Sequence, residues 1–493
     1  MEPLWKLPPY ELSPTADGGW AVQSEEGFGE ALAVFAPLYR DGEWRLAMAD
    51  DDVLALTGVD DRGWTPVRLP VVERATHYLC ILRYDHPADH PSSTWFRLQV
   101  PGTHGPRQAR GPVVAGSELR RGLERVREHL RERFELYLVP AAAQPAAILR
   151  GSADAVSFAF ASCQYPAGLL DRPVAHRSYQ RLAASLQPEG AAMPERLLLL
   201  GDQVYTDATY GLVDPARIDD RYRIPYEDFA DRENGPFASL PQTLLALRRM
   251  TPDDHEIRDN WEPTPGADPV RDAALEAFWK YQRRAPAARQ VWLTEEGPGW
   301  RLFVTDSRTQ RSPRDEDTLH EALILGRHQT DALHDWLRAP DDGRLKVVSS
   351  AAMLLPRTRM NLDAPLYLDA WQGYPASLHG LLALLCEHEV HNVVFLSGDA
   401  HIACDARVQV TRPGTGKHAS FASLHAPALY APYPFANEEE ANLLLQDSFA
   451  FGHGGATYHC TVSAQVLADG ANGCGLLRAS RHGARWCVAY EVL

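Results

Sequence analysis

Residues 196–205 read RLLLLGDQVY, an apolar run of strand length that breaks into a glycine and then an acid. Four consecutive leucines suit a strand buried on both faces. Gly201 ends that strand, so Asp202 sits where the chain leaves the interior. A carboxylate so close to a core is costly unless cations or hydrogen-bond donors compensate it. Residues 392–401, NVVFLSGDAH, repeat the pattern, and residues 156–164, VSFAFASCQ, form another buried-looking strand with a polar end. Helices are expected over 175–186, 271–284, 316–338 and 376–388, with a further strand at KVVSSA (346–351). Strands alternating with helices predict an α/β sheet covered on both faces, with ligands at the carboxyl ends of the strands. Beyond about residue 405, the runs YHCTVSAQVL and RWCVAYEVL are expected to complete a second sheet.

Bulk properties narrow the function. The chain has 493 residues, and domains typically run to roughly 100–200, so two or three units are expected. A net charge of −16, from 49 basic and 65 acidic residues, opposes nonspecific binding to nucleic acid or anionic membrane. It leaves room for a phosphorylated substrate, because bound cations reverse a local field. Seven scattered cysteines without CxxC pairs make neither a disulfide framework nor a thiolate zinc site. The opening MEPLWKLPPYELSPTADGGW shows no basic start with an apolar run and no twin arginine. The expectation is a cytoplasmic protein with no membrane span; export with the leader removed is the alternative.

Residues 1–150 read as a β-sandwich-like accessory domain with one helix. Strands are expected at THYLCILRY (76–84) and TWFRLQV (94–100), and a helix over 117–134 with Leu119, Leu123, Val126, Leu130 and Phe134 on one face. The charged residues of that helix read as a solvated face, and Asp50-Asp51-Asp52 as a solvated turn. Residues 151–493 carry the chemistry.

Four segments stand out together: Ser162-Cys163-Gln164, Gly201 to Tyr205, Asp253-Asp254-His255-Glu256, and Gly398 to His401. Acids converging at strand ends compensate one another poorly, and a pair of metal ions resolves that. Carboxylate, imidazole, thiolate and phenolate together suit transition-metal ligation. Each residue also has an ordinary reading. Cys163 is a buried thiol when taken alone, and Tyr205 a core tyrosine. His255 pairs with Glu256 or caps a helix, and Arg308 forms a salt bridge with Asp306. Asp207, Asp253 and Glu256 read as orienting residues, Asn260 and Trp261 as a cap and a packing residue, and His425, His453 and His459 as polar packing.

SCQ, GDQVY, DDHE and GDAH, in this order, resemble the alkaline phosphatase D (PhoD-like) family of the calcineurin-like metallophosphoesterases. DDHEIRDNW (253–261) and LFVTDSRTQR (302–311) extend the resemblance, which covers about residues 150–410. It implies a four-layer α/β/β/α sandwich. It also implies two metal ions, ferric iron with Cys163, Asp202, Tyr205 and His401, and calcium with Asp254 and Asp399, Asp202 bridging both. Zinc or manganese is the alternative loading. His255 would face substrate as a catalytic residue, and Arg308 would bind the phosphate. The implied activity is hydrolysis of a small phosphomonoester or phosphodiester at alkaline pH, by hydroxide activated between metals roughly 3.5–4 Å apart. A phosphodiesterase acting on lipid headgroups or nucleotides, and a noncatalytic relative used for binding, are the rivals. Oligomeric state and natural substrate are not set by the sequence.

Overall fold

The computed structural model describes residues 153–167, 172–186, 193–208, 218–230, 235–245, 247–283, 290–432, 438–468 and 472–493, and before residue 141 the backbone of seven strands. The chain divides into two compact units: Met1–Ala147 with Trp279–Arg289, and Ile148–Phe278 with Gln290–Leu493.

In the first unit, β1 (Leu12–Pro14), β2 (Trp20–Gln23) and β5 (Trp64–Val67) form one antiparallel sheet. A second antiparallel sheet runs β4 (Glu43–Ala47), β3 (Glu30–Arg40), β6 (His77–Arg83) and β7 (Phe134–Pro140). The strand expected at 76–84 is β6. The strand expected at 94–100, the helix over 117–134 and the turn at Asp50–Asp52 lie outside the described residues.

Among the described residues, the second unit holds two mixed sheets and few helices. The six-stranded sheet runs β10 (Arg248–Thr251), β9 (Arg196–Leu200), β8 (Ala155–Gln164), β20 (Gly475–His482) and β21 (Arg485–Val492), with β17 (Ala428–Tyr430) alongside the end of β8. β8, β9 and β10 are parallel; β8 and β9 are almost wholly buried, which explains their apolar runs, whereas β10 is buried at Met250 and Thr251 alone. The eight-stranded sheet runs β11 (Leu293–Glu296), β12 (Trp300–Val304), β13 (Leu345–Ser350), β14 (Val393–Ser397), β16 (His418–His425), β15 (Ala403–Thr411), β19 (Ala456–Ala468) and β18 (Gln446–His453). β12, β13, β14 and β16 are parallel, and the antiparallel extension shows the alternate burial of a sheet with one wet face.

One core cluster joins the two sheets: Phe158 and Phe160 of β8 and Leu198 of β9 pack with Leu302 of β12, Val347 of β13 and Leu396 of β14. The opposite face of the larger sheet, through Phe303, Val348 and Phe395, packs on Leu333 and Leu337 of α4 (Gly326–Arg338) and Leu381 and Leu385 of α5 (Pro375–Glu387). Among the described residues the three longer helices before these are α1 (Arg177–Ser185), α2 (Ile218–Ala230) and α3 (Pro269–Phe278). The helix expected from 316 begins only at Gly326. Asp315 draws the amides of Asp317 and Thr318 into a turn, and Gly326 has a φ of 63°. The tail serves both sheets, because β20 and β21 extend the six-stranded one.

Gly201 is where packing and backbone both demand glycine. Its φ is 89°, and a Cβ there would lie 2.4 Å from the Cβ of Asp253. Gly201→Ala is therefore expected to destabilise the protein by about 1–3 kcal/mol from the clash alone. Urea unfolding monitored by circular dichroism measures this, and an unchanged midpoint would contradict the packing described.

Candidate metal centre

The parallel strands deliver the four sequence segments to one place. Cys163 lies at the end of β8, Asp202 two residues past β9, Asp253–Glu256 past β10, and Asp399–His401 past β14. Backbone bonds lock the turns together: Cys163 N–H donates to Gly201 O at 3.2 Å and Gln164 N–H to Asp202 O at 2.7 Å. A Cβ on Gly398 would lie 2.5 Å from the Cβ of Ser162, so the β14 turn packs directly on the β8 end. Cys163, Asp202, Asp399 and His401 all have left-handed backbones, with φ of 58°, 54°, 83° and 57°. Such conformations in residues other than glycine persist only where surroundings enforce them, and they gather at functional sites.

The side chains converge. Ligand atoms of Cys163, Asp202 and His401 lie within 4.8 Å of one another, as do those of Asp202, Asp254 and His255, and those of Asp202, Asp253 and Asp399. Asp202 belongs to all three groups. Cys163 Sγ is 3.4 Å from Asp202 Oδ2 and 3.6 Å from the carbonyl of Asp399. Tyr205 is buried nearby, its ring stacked on His255 at 4.1 Å.

A surrounding frame holds these groups. Glu256, buried, accepts the backbone N–H groups of Asp202, Gln203 and Asp253 at 2.8–2.9 Å. One carboxylate thus fixes both the β9 and β10 turns. Asp207 accepts from His255 Nδ1 at 2.9 Å and from the amide of Asp259 at 2.5 Å, which leaves the His255 Nε2 edge 3.8 Å from Asp259. Asp254 Oδ2 accepts the amide of Asn260 at 2.6 Å.

Arg308 is placed differently from the sequence expectation. Its side chain is 0% exposed. Nε donates to Asp253 at 2.6 Å, Nη1 to the Trp261 carbonyl at 3.0 Å, and Nη2 to Asp369 at 2.7 Å. It does not pair with Asp306, whose carboxylate instead accepts the amides of Arg308 and Thr309. With its donors so engaged inside the protein, Arg308 braces the carboxylates around it. Asp369 also pairs with Arg311. Asp369 was not singled out from the sequence; the only signal was that buried arginines at 308 and 311 require a carboxylate.

His425 also contributes more than polar packing. It is wholly buried between two carbonyls of the β14 turn, with Nδ1 2.7 Å from Ile402 O and Nε2 against Gly398 O. His453 and His459 are exposed on β18 and β19 and are in none of the ligand groups.

The electrostatics identify what the residues suit. Burial, then the neighbouring acids, pushes Asp202 and Asp399 well above the usual carboxylate range. Burial, then Asp202 and Asp399, pushes the Cys163 thiol up, and burial with Cys163 and Asp202 does the same to the Tyr205 phenol. Burial lowers His255, but the Asp207 hydrogen bond and the charges of Asp202 and Asp254 raise it to about 11. His255 and Arg308 offset part of this negative charge, and Asp202 and Asp399 stay raised nonetheless. A sulfur, nitrogen and oxygen donor set on one side and carboxylates on the other fits two cations of different hardness.

Comparisons with known proteins place the chain in a family. The model of the family described as PhoD-like phosphatase matches residues 158–443, more than half of the chain, and the chain belongs to that family. Alkaline phosphatase D of Bacillus subtilis (strain 168) is 24% identical over 192 residues, a match covering 33% of this chain and 32% of that protein. The match thus spans about a third of the length of that curated relative. A solved structure titled "Structure of PhoD" aligns over 96% of this chain and 86% of its own, with 13% identity and a TM-score of 0.47.

The strut role of Arg308 has a measurable consequence. Arg308→Ala leaves Asp253 buried without its cation, Asp369 keeping Arg311, and is expected to cost about 3–5 kcal/mol of stability. Denaturant unfolding of the variant tests this. An unaltered midpoint with a raised KM for a phosphate ester would instead restore the substrate-contact reading.

Proposed function

We propose that this protein is a binuclear-metal hydrolase of phosphate esters. The observation that carries the reading is the meeting of Cys163, Asp202 and His401 with Asp253, Asp254 and Asp399 at the carboxyl ends of parallel strands. Family membership supports hydrolysis at phosphorus, and every position matched to the family's motifs holds a residue able to ligate.

In this reading Cys163, Asp202, Tyr205 and His401 hold the ion that tolerates thiolate and phenolate, ferric iron in the resemblance. Asp254 and Asp399, with Asp202, would hold a harder ion such as calcium, with zinc or manganese as other loadings. When bound, the ions supply Lewis-acid polarisation of phosphoryl oxygens and an activated water. The protein's own residues do the rest. Asp207 fixes the His255 ring through Nδ1, so Nε2 is the edge that donates a proton to the departing oxygen. Tyr205 stacks beneath that ring and limits its rotation. The His255 side chain is 16% exposed, enough to meet a small substrate.

The substrate proposed is a small phosphomonoester or phosphodiester, cleaved best at alkaline pH. The layering proposed for the second unit is α/β/β/α, and the first unit serves as an accessory domain. No described helix is long and apolar enough to cross a membrane.

Two variants test the assignment. Asp202→Ala is expected to abolish turnover and to lose metal in elemental analysis. His255→Ala is expected to slow turnover by about 10²–10⁴-fold while both ions stay bound. Loss of both ions from the second variant would remove His255 from the substrate side. Rates on p-nitrophenyl phosphate and bis(p-nitrophenyl) phosphate, before and after chelation, separate monoesterase from diesterase; metal-independent rates on both would end the proposal.

A further inference from the structure

The resemblance gives the harder ion Asp202, Asp254 and Asp399, and leaves Asp253 as an orienting residue. The geometry points to more: we propose that Asp253 is itself a ligand, completing an all-carboxylate pocket with Asp202 and Asp399 for a hard cation. This rests on the metal-centre reading above and deepens it.

Three observations carry the inference. First, ligand oxygens of Asp202, Asp253 and Asp399 lie within 4.8 Å of one another, and no sulfur or nitrogen belongs to this group. Hard cations select such sites, whereas the neighbouring group of Cys163, Asp202 and His401 does not suit them. Second, Asp253 is 0% exposed and only half satisfied. Oδ1 accepts from Arg308 Nε at 2.6 Å, while Oδ2, equally shut off from solvent, meets no hydrogen-bond donor among the described residues. Buried carboxylate oxygens are ordinarily matched by a donor or an ion, so one left over is a ligand position. Third, the residue is fixed in place for that task. Its amide donates to Glu256 at 2.8 Å, and its Cβ fills the space that a side chain at Gly201 would take, pressing it against the turn that carries Asp202.

Arg308 does not oppose a cation at this position. Its guanidinium is also held by both oxygens of Asp369, at 3.1 and 2.7 Å, with Asp254 Oδ1 3.6 Å from Nη2, so its charge is shared among three carboxylates. The bond to Oδ1 fixes the plane of the Asp253 carboxylate and directs its remaining oxygen. This is the arrangement by which an outer partner orients a ligand.

Terbium(III), a luminescent hard cation, provides the test. The wild-type protein is loaded with zinc for the Cys163–His401 side, crystallised and soaked with terbium, and the ion is located by anomalous scattering. The expected peak lies at about 2.3–2.6 Å from an Asp253 oxygen as well as from Asp202 and Asp399. In solution, luminescence lifetimes in H2O and D2O count the waters on the ion. Asp253→Ala is expected to gain about one such water, the usual replacement for a lost oxygen ligand. Asp369→Asn, which loosens Arg308 but leaves Asp253 in place, is expected to keep the wild-type count. A terbium ion bonded to Asp202 and Asp399 but not Asp253 overturns this inference and leaves the metal centre standing. So does an Asp369→Asn count that rises as in Asp253→Ala, because Asp253 would then act only through Arg308. Absence of any bound metal from the wild type overturns both. Should Asp253→Ala fail to fold, the wild-type crystal still decides.

Discussion

Acids crowded together out of water are the constraint from which the rest of the second unit follows. Asp202, Asp253 and Glu256 are all buried, with Asp254 and Asp399 beside them. Bringing several carboxylates, a thiol and a phenol into one low-dielectric spot is unfavourable whichever protonation states they adopt. A fold that nonetheless does so must enforce the arrangement with its most rigid elements. Parallel strands buried on both faces are such elements, and the acids hang from their ends.

The enforcement is visible at the level of single residues. Glycines stand at 201 and 398 because the β8, β9 and β14 turns approach closer than any Cβ allows. The left-handed backbones of Cys163, Asp202, Asp399 and His401 turn these side chains back over the strand ends instead of letting the chain run on. Glu256 ties two of the turns by gathering their amides, and His425 braces the third from beneath. Local strain of this kind, of order 1–3 kcal/mol per residue, is sustained by the sheet core under it. That core is the joint apolar cluster of both sheets, so the chemistry of the site and the stability of the fold share one foundation.

How much of this the sequence discloses depends on range. RLLLLGD and VVFLSGD are legible because strand, turn and acid occupy one short window, and the hydrophobic run itself reports double burial. The α/β class and the ligand candidates follow from those windows. The partners of Arg308 do not. Asp369 lies 61 residues away in an irregular stretch, and only tertiary packing decides that it, and not the adjacent Asp306, takes the guanidinium. Asp306 is unsuitable for a local reason: its carboxylate is already committed to the amides of its own turn. His425 reads in the sequence as polar packing for the opposite reason. It ends an ordinary buried strand, and nothing in that pattern shows that the next strand over ends in the GDAH turn.

The pattern of compensated and uncompensated charge also bears on where cations belong. On one side, charges alternate outward from the cluster: Asp253, Arg308, Asp369, Arg311, with Arg314 and Glu262 beyond. Burial acts to raise Asp369, yet the two arginines overcome it and hold the acid well below its ordinary range. That side needs no ion. On the other side burial drives Asp202, Asp399 and Cys163 upward, helped by Asp253 and Asp254 for the two acids and by those two acids for the thiol, with no arginine or lysine in their hydrogen bonds. Positive charge added there relieves repulsion; added among the arginines it would create it. Asp253 stands at the junction, one oxygen on the arginine and the other unmatched. A protein that placed its arginines around the whole cluster would fold more easily and hold no metal. Confining them to one side leaves the carboxylates of the other side dependent on ions.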